Sequence, residues 1–183
     1  MDGMELFVLD YDLVRLFRPI IINGLSDLGI TAKVLQNYQP TNQGIKDSIV
    51  YFHNIGDKNV GHLERLNVWD TDTSTFQSVE TQAKITTFQI NTILSQDPSN
   101  LEITAKDLCT YVNMILQRRS TIATLQNNGV GILWVGEIRN IPFMNGGDNY
   151  EYNPSFDFQI THNQVLTGEV SKIDNFNATI KRV

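Results

Sequence analysis

Apolar residues recur at helical spacing in two stretches of the chain and at strand spacing through most of the rest. Leu13, Phe17, Ile20 and Ile21 fall at i, i+4, i+7 and i+8, one apolar face of a helix that starts at Asp10 or Asp12. Pro19 lies inside that pattern, where it removes a backbone donor, so a kink or a restart is expected there. Gly24 and Gly29 mark the end region of this helix. The second helical stretch is stronger. Thr104 and Asp107 form a capping-box pattern with Asp in place of the usual Glu. Behind them Ala105, Leu108, Cys109, Val112, Ile115 and Leu116 keep one face. This helix is expected to run to about Leu125 and to stop before Asn128-Gly129.

The remaining pattern is that of strands. Lys33 to Gln36 reads as a short strand. Ser48 to Ile55 is rich in β-formers and mostly apolar, as in a strand buried on both faces. Gly56-Asp57-Lys58-Asn59 reads as a turn, and His62 to Asp70 as the second arm of a hairpin. Phe76 to Leu94 is a long β-prone stretch in which Ala83 and Ile85 share one phase and Phe88 and Ile90 the other. A β-bulge would produce that slip. Gln96 to Asn100 is a loop. Gly131 to Ile141 reads as a strand and Met144 to Asn149 as its turn. Tyr150, Tyr152, Phe156, Phe158 and Ile160 then alternate with polar residues along a half-buried antiparallel strand. Pro154 interrupts it, which favours an edge position or a bulge. Phe176, Ala178 and Ile180 suggest a last short strand. The order predicts an α+β domain spanning 1–183, a mainly antiparallel sheet with two main helices on one side.

Composition narrows the function classes. The chain has 183 residues, 41% of them hydrophobic and 19% charged, enough for a real core and not the balance of a disordered chain. A formal charge of −6 argues against a broad groove for tight nucleic-acid binding, which needs a basic face. One cysteine, Cys109, excludes an internal disulfide and fits a reducing compartment. The start of the sequence is acidic and lacks a basic n-region, so it is not read as a signal peptide. The apolar runs are a few residues long, too short for a membrane-spanning helix.

Catalytic and cofactor patterns fail on their own residues. In 129–136 (GVGILWVG) a dinucleotide fingerprint would need glycine where Trp134 stands, and its glycines precede a strand instead of following one. In the EF-hand-like 70–74 (DTDTS) the later glycine and glutamate positions hold Thr75 and Thr81. His53, His62 and His162 lack metal spacing, and Cys109 sits on an apolar helix face. No cofactor and no metal is expected. Arg118 and Arg119 fall late in the second helix, where cations are favoured, and can meet an acidic neighbour. The uncharged hydrogen bonders Gln82, Thr86, Gln89 and Asn91, with Gln159 and Thr161, suit a wetted subunit interface.

The motifs also come in a telling order: 37–45 (NYQPTNQGI), 50–65 (VYFHNIGDKNVGHLER), 86–94 (TTFQINTIL), 129–140 (GVGILWVGEIRN) and 150–164 (YEYNPSFDFQITHNQ). Over roughly residues 25 to 183 the chain resembles the bacteriophage neck proteins called gateway or tail-terminator proteins. The resemblance implies a structural protein and not an enzyme. It implies a ring of identical copies, a hexamer, at the head-proximal end of the tail, assembled in the host cytoplasm. Its partners would be the tail tube protein, the head-side connector or collar protein and the tail sheath. Genomic DNA would pass through the lumen, and no membrane or cofactor is implied. In that setting the uncharged loop Gln39, Pro40, Thr41, Asn42, Gln43 and Gly44 reads as a finger toward a neighbour. Competing readings are a head–tail adaptor of different stoichiometry, a nucleic-acid-binding accessory protein, or an enzyme in which His53 and His62 converge in a deep pocket.

Overall fold

The computed structural model of the protein describes residues 10–36, 48–71, 75–94, 103–140, 142–144 and 150–169. The elements run α1 (Asp10–Ser26), β1 (Lys33–Gln36), β2 (Ile49–Asp70), β3 (Thr75–Ile93), α2 (Ala105–Gln117), α3 (Arg119–Asn127), β4 (Gly131–Val135), β5 (Pro142–Met144), β6 (Tyr150–Tyr152) and β7 (Ser155–Glu169). One sheet has the order β1-β2-β3-β7-β4, and β5 pairs with β6 separately. β1 is parallel to β2 and the other pairings are antiparallel. This is the expected α+β fold with a mostly antiparallel sheet. The Gln96–Asn100 loop and the strand expected around Phe176–Ile180 lie outside the described residues.

α1 buries Leu13, Phe17, Ile21 and Leu25, the face its spacing announces. It runs through Pro19 without restarting. Burial of Phe17 and Ile21 on either side offsets the single hydrogen bond that proline removes. α1 ends at Ser26, within the expected Gly24–Gly29 region, and Gly24 itself stays helical. It is buried inside the last turns, and a Cβ there would lie 2.7 Å from Ile115 Cγ2. Its lack of a side chain is what lets α1 approach α2. The chain leaves the helix two residues after Leu25, where the Gly29 N–H donates to the Ser26 carbonyl and the Ile30 N–H to the Leu25 carbonyl.

The second helical stretch starts as expected. The Thr104 hydroxyl accepts from the Asp107 N–H at 3.1 Å, and the Asp107 carboxylate accepts from the Thr104 N–H at 3.0 Å. It does not continue to Leu125 as one helix. Arg118 adopts extended backbone (φ −61°, ψ 140°), closing α2 and opening α3. The turn is held by Thr121, whose buried hydroxyl donates to the Ile115 carbonyl at 2.7 Å. Residue periodicity survives such a break, so the sequence read as one helix.

The sheet departs further from expectation. The hairpin turn at Gly56–Asn59 is absent: these residues pair with Thr87 to Lys84, and β2 is one strand of 22 residues. It ends at Asp70, and its antiparallel partner β3 starts at Thr75. The bulge expected in β3 also belongs to β2. β3 and β7 keep one unbroken register from Gln77↔Glu169 to Asn91↔Ser155. β2 shifts register between Asn54 and Gly56, where the Asn54 side chain accepts from the Gly56 N–H at 2.8 Å, and again between Val60 and Glu64. Pro154 splits the expected long strand into β6 and β7, and β7 lies between β3 and β4, not at an edge. The proline stands just outside it, so no ladder donor is lost. β4 stops at Val135, and only Arg139 beyond it bridges to Ser155.

The core lies between the helices and one face of the sheet. Phe52, Phe88 and Phe158 form a cross-strand ladder over β2, β3 and β7. Phe52 and Phe88 stack with centroids 4.7 Å apart, and Phe88 and Phe158 lie 5.5 Å apart. Phe17 of α1 sits against them, edge-on to Phe158 at 5.4 Å. All four are essentially unexposed and join Leu108, Val112, Ile115 and Leu116 of α2 in one cluster.

Candidate assembly surface

Cover over the sheet is uneven along its strands. On β3, Thr86, Phe88, Ile90 and Thr92 are buried, whereas no residue from Thr75 to Ile85 is. On β2, Ile49 to Phe52 are buried and Gly56 to Trp69 are exposed. The strands therefore project beyond the helices as a three-stranded blade of β2, β3 and β7. Its eleven β3 residues span roughly 35 Å at strand rise. β1 covers the β2 edge only as far as Ile49–Phe52. The blade is internally organised: Arg65 meets Glu80 at 2.9 Å across the strands, and Trp69 packs edge-on to Phe76 at 5.0 Å. Even so, Leu66, Val68, Trp69, Phe76 and Leu166 are each about half exposed, between 49% and 56%. Monomeric proteins do not ordinarily leave so many large apolar groups in one exposed region.

Of the described residues singled out from the sequence as interface candidates, Gln82 lies in the blade, where its side chain donates to the Val60 carbonyl at 2.9 Å, and the others lie elsewhere. Gln39, Pro40, Thr41, Asn42, Gln43 and Gly44 lie outside the described residues. Arg118 is half-buried at the α2–α3 break, 3.6 Å from Asp27. It borders a groove of about 370 Å³ between α1 and α3 whose floor includes Pro19, Gly24 and Ile115. Arg119 is exposed in the first turn of α3. It therefore stands at the positive end of a helix dipole, the reverse of the favourable placement the sequence implied. Gln159 and Thr161 are half-buried on the sheet face away from the helices. There the Gln159 side chain donates to Thr87 Oγ1 at 3.3 Å, and Thr161 Oγ1 to the Gly131 carbonyl at 3.5 Å. The sheet separates this pair from the two arginines.

The polar sheet residues divide between the two faces. Gln89 donates to Asp157 at 2.9 Å, and Arg139 meets the same carboxylate at 2.7 Å, both on the face away from the helices. Thr86 is not on a wetted face at all. It is 1% exposed on the helix side, at the root of the blade. Its hydroxyl donates to Asp57 Oδ1 at 2.7 Å, so it accepts from His162 Nε2–H at 2.9 Å. Burial holds the His162 pKa below its ordinary value, with Asp57 opposing, so the ring is neutral. His53, on the other face, is also lowered by burial, partly offset by Asp157. His62 is exposed, nine residues along β2 from His53. The convergence that an enzyme reading requires of His53 and His62 does not occur. Cys109 is fully buried, and desolvation pushes its thiol up to about 11, so it packs as a hydrophobe.

The glycines of 129–136 have structural work instead of a phosphate. The Gly129 N–H donates to the Gln126 carbonyl and the Val130 N–H to that of Leu125, closing α3 at positive φ. A Cβ on Gly136 would strike the Trp134 ring and the Asp157 carbonyl. That glycine lets the Trp134 indole lie over the end of β4 while 48% exposed.

Sequence reasoning missed the exposed apolar set of the blade. One signal was available: Leu63, Leu66, Val68 and Trp69 occupy both phases of one strand, while only two helical stretches exist to cover the whole sheet. That excess of apolar positions over available helical cover is the pattern of an exposed apolar surface.

Residues 12–172 match the family model of the E217 gateway protein gp29. No curated protein matches the chain in sequence. Among solved structures the chain is similar to the PVC sheath/tube terminator of an extracellular contractile injection system in its extended state. The TM-score is 0.57 at 10% identity, over 97% of this chain and 65% of that one. It is also similar to the tube-terminating cap of the anti-feeding prophage, with a TM-score of 0.48 at 10% identity, over 95% of this chain and 62% of that one. The chain thus spans somewhat less than two thirds of the length of each of these two proteins. At this identity the likeness to the PVC terminator is one of fold.

Proposed function

The chain belongs to the family of the E217 gateway protein gp29, and from that premise we propose that it is a structural protein of a long-tailed phage neck. It forms a ring, hexameric, at the head-proximal end of the tail. The ring caps the tail tube and presents a surface to the head-side connector, with the sheath beside it. DNA passes through its lumen. At −6 per copy the ring is acidic, which suits passage of DNA without adhesion, provided the lumen-facing residues share that sign.

The observation that carries this reading is the family match across residues 12–172, nearly the whole described chain. The fold shared with a sheath/tube terminator supports it. So does the blade, since a projecting sheet with exposed apolar residues on both faces needs external cover.

Electron microscopy of particles made without this gene tests the proposal. Full heads beside unjoined tails, some overlong, are expected. Heads that leak DNA beside tails of normal length would move the protein to the head side of the joint, as an adaptor of other stoichiometry. Intact virions would remove the structural reading.

A further inference from the structure

Exposed large apolar side chains cluster at two places on the five-stranded sheet, besides the single exposed Leu35 of β1. One is the blade, with Leu66, Val68, Trp69, Phe76 and Leu166. The other is β4, the terminal strand on the opposite side of the sheet, where Leu133 is 55% and Trp134 is 48% exposed. β4 reads GILWV, with no charge and no proline, and pairs only with β7 among the described residues. Natural sheets protect an open edge with charges, prolines or bulges that turn it away. β4 carries a bulge between Ile132 and Trp134, yet that bulge leaves both large side chains exposed. An edge of this composition is suited to being covered.

We infer that the blade of one copy docks against the β4 edge of the next copy, an inference that rests on the ring reading above. Two features select a second copy as the occupant. First, the two surfaces are different patches of one sheet, the blade's exposed apolar residues lying mostly on β2 and β3 and the other patch on β4. Such a heterologous contact repeats head to tail and closes as a ring when the rotation between copies allows it, whereas a blade-to-blade contact would stop at a dimer. Second, the blade supplies a large part of the area needed. Five large apolar side chains, each about half exposed and each roughly 200 Å² when fully exposed, offer about 500 Å² over both faces, and the β2 edge adds polar surface toward the roughly 800 Å² per partner of a stable interface. Trp69 and Trp134 are the residue type that carries most energy at such contacts.

Native mass spectrometry of four samples tests this: the wild type, a blade variant (Leu66→Lys with Trp69→Lys), an edge variant (Leu133→Lys with Trp134→Lys) and an equimolar mixture of the two. Each variant alone should lose about 30-fold or more in self-association, the loss expected on removing a hot-spot residue. The mixture should give a one-to-one dimer and nothing larger, because each pair retains one intact blade facing one intact edge. The dimer also proves both variants folded. If a lysine variant loses its melting transition, Leu66→Ser and Leu133→Ser replace the two variants. Variants that still form rings would overturn the inference and leave the ring reading standing. A mixture of folded variants that stays monomeric would overturn it too, because an intact blade and an intact edge would then have met without pairing. A wild type that never self-associates would overturn both.

Discussion

Two halves of the same strands live in different environments. From Phe88 to Thr92 the helix-facing residues of β3 are buried under α1 and α2, and β2 and β7 match them with Phe52, Phe156, Phe158 and Ile160. From Thr75 to Ile85 the same strand has no helix over it. Both halves alternate, and both hold large apolar groups. The difference is cover, and cover decides whether an apolar residue stabilises the monomer or waits for an assembly. The inner half is a core by its own chain. The outer half stays exposed among the described residues.

Substitutions can break or sharpen that contrast. The largest effect belongs to the inner half. Phe88→Ala removes the central ring of the ladder and should cost about 3–5 kcal/mol, measured by denaturant unfolding of the isolated protein. A loss below about 1 kcal/mol would mean that the phenylalanine ladder is not the core. Next is the seam between α1 and α2. Gly24→Ala places a Cβ against Ile115, and overpacking of about 1–3 kcal/mol outweighs the roughly 0.5–1 kcal/mol that alanine returns in helix propensity. Ile115→Ala removes all three atoms that meet the new Cβ, so it should cost less beside Gly24→Ala than in the wild type, and strictly additive losses would place the strain elsewhere.

The root of the blade should report itself through pH. His162 is buried and its pKa is depressed, so the unfolded chain binds its proton first as the pH falls. Its contribution to stability is present above the ordinary histidine value near ~6.5 and is lost below it. His53 shifts the same way. The melting temperature should therefore fall as the pH drops from 7 to about 5, and His162→Asn should flatten that slope. An unchanged slope would assign the effect to His53. The smallest effect belongs to the blade: Leu66→Ser should change monomer stability by no more than about 0.5 kcal/mol, as at any exposed site. A loss as large as that of Phe88→Ala would show that the blade is covered within the monomer.

By itself the sequence determined the elements whose cause is local. The capping box at Thr104 and Asp107, the apolar face from Ala105 to Leu116, the first helix and the alternation of Phe156, Phe158 and Ile160 all stand where the pattern puts them. Each follows from bonds or burial within a few residues. The order of motifs along the chain also identified the family, because that order is a property of the sequence alone. Tertiary structure decided what depends on distant partners. Gly56 to Asn59 reads as a turn, yet pairing with Thr87 to Lys84 holds it extended. Gly24 reads as a helix end, yet Ile115, far along the chain, makes it a contact. Thr86 reads as part of a polar face, yet it is buried on the helix side with its hydroxyl bonded to Asp57 and His162, both distant in the chain. Exposure belongs to this second kind. Whether Leu66 and Trp69 face a core or a neighbour depends on where the helices end over the sheet, a distance that no window of the sequence contains.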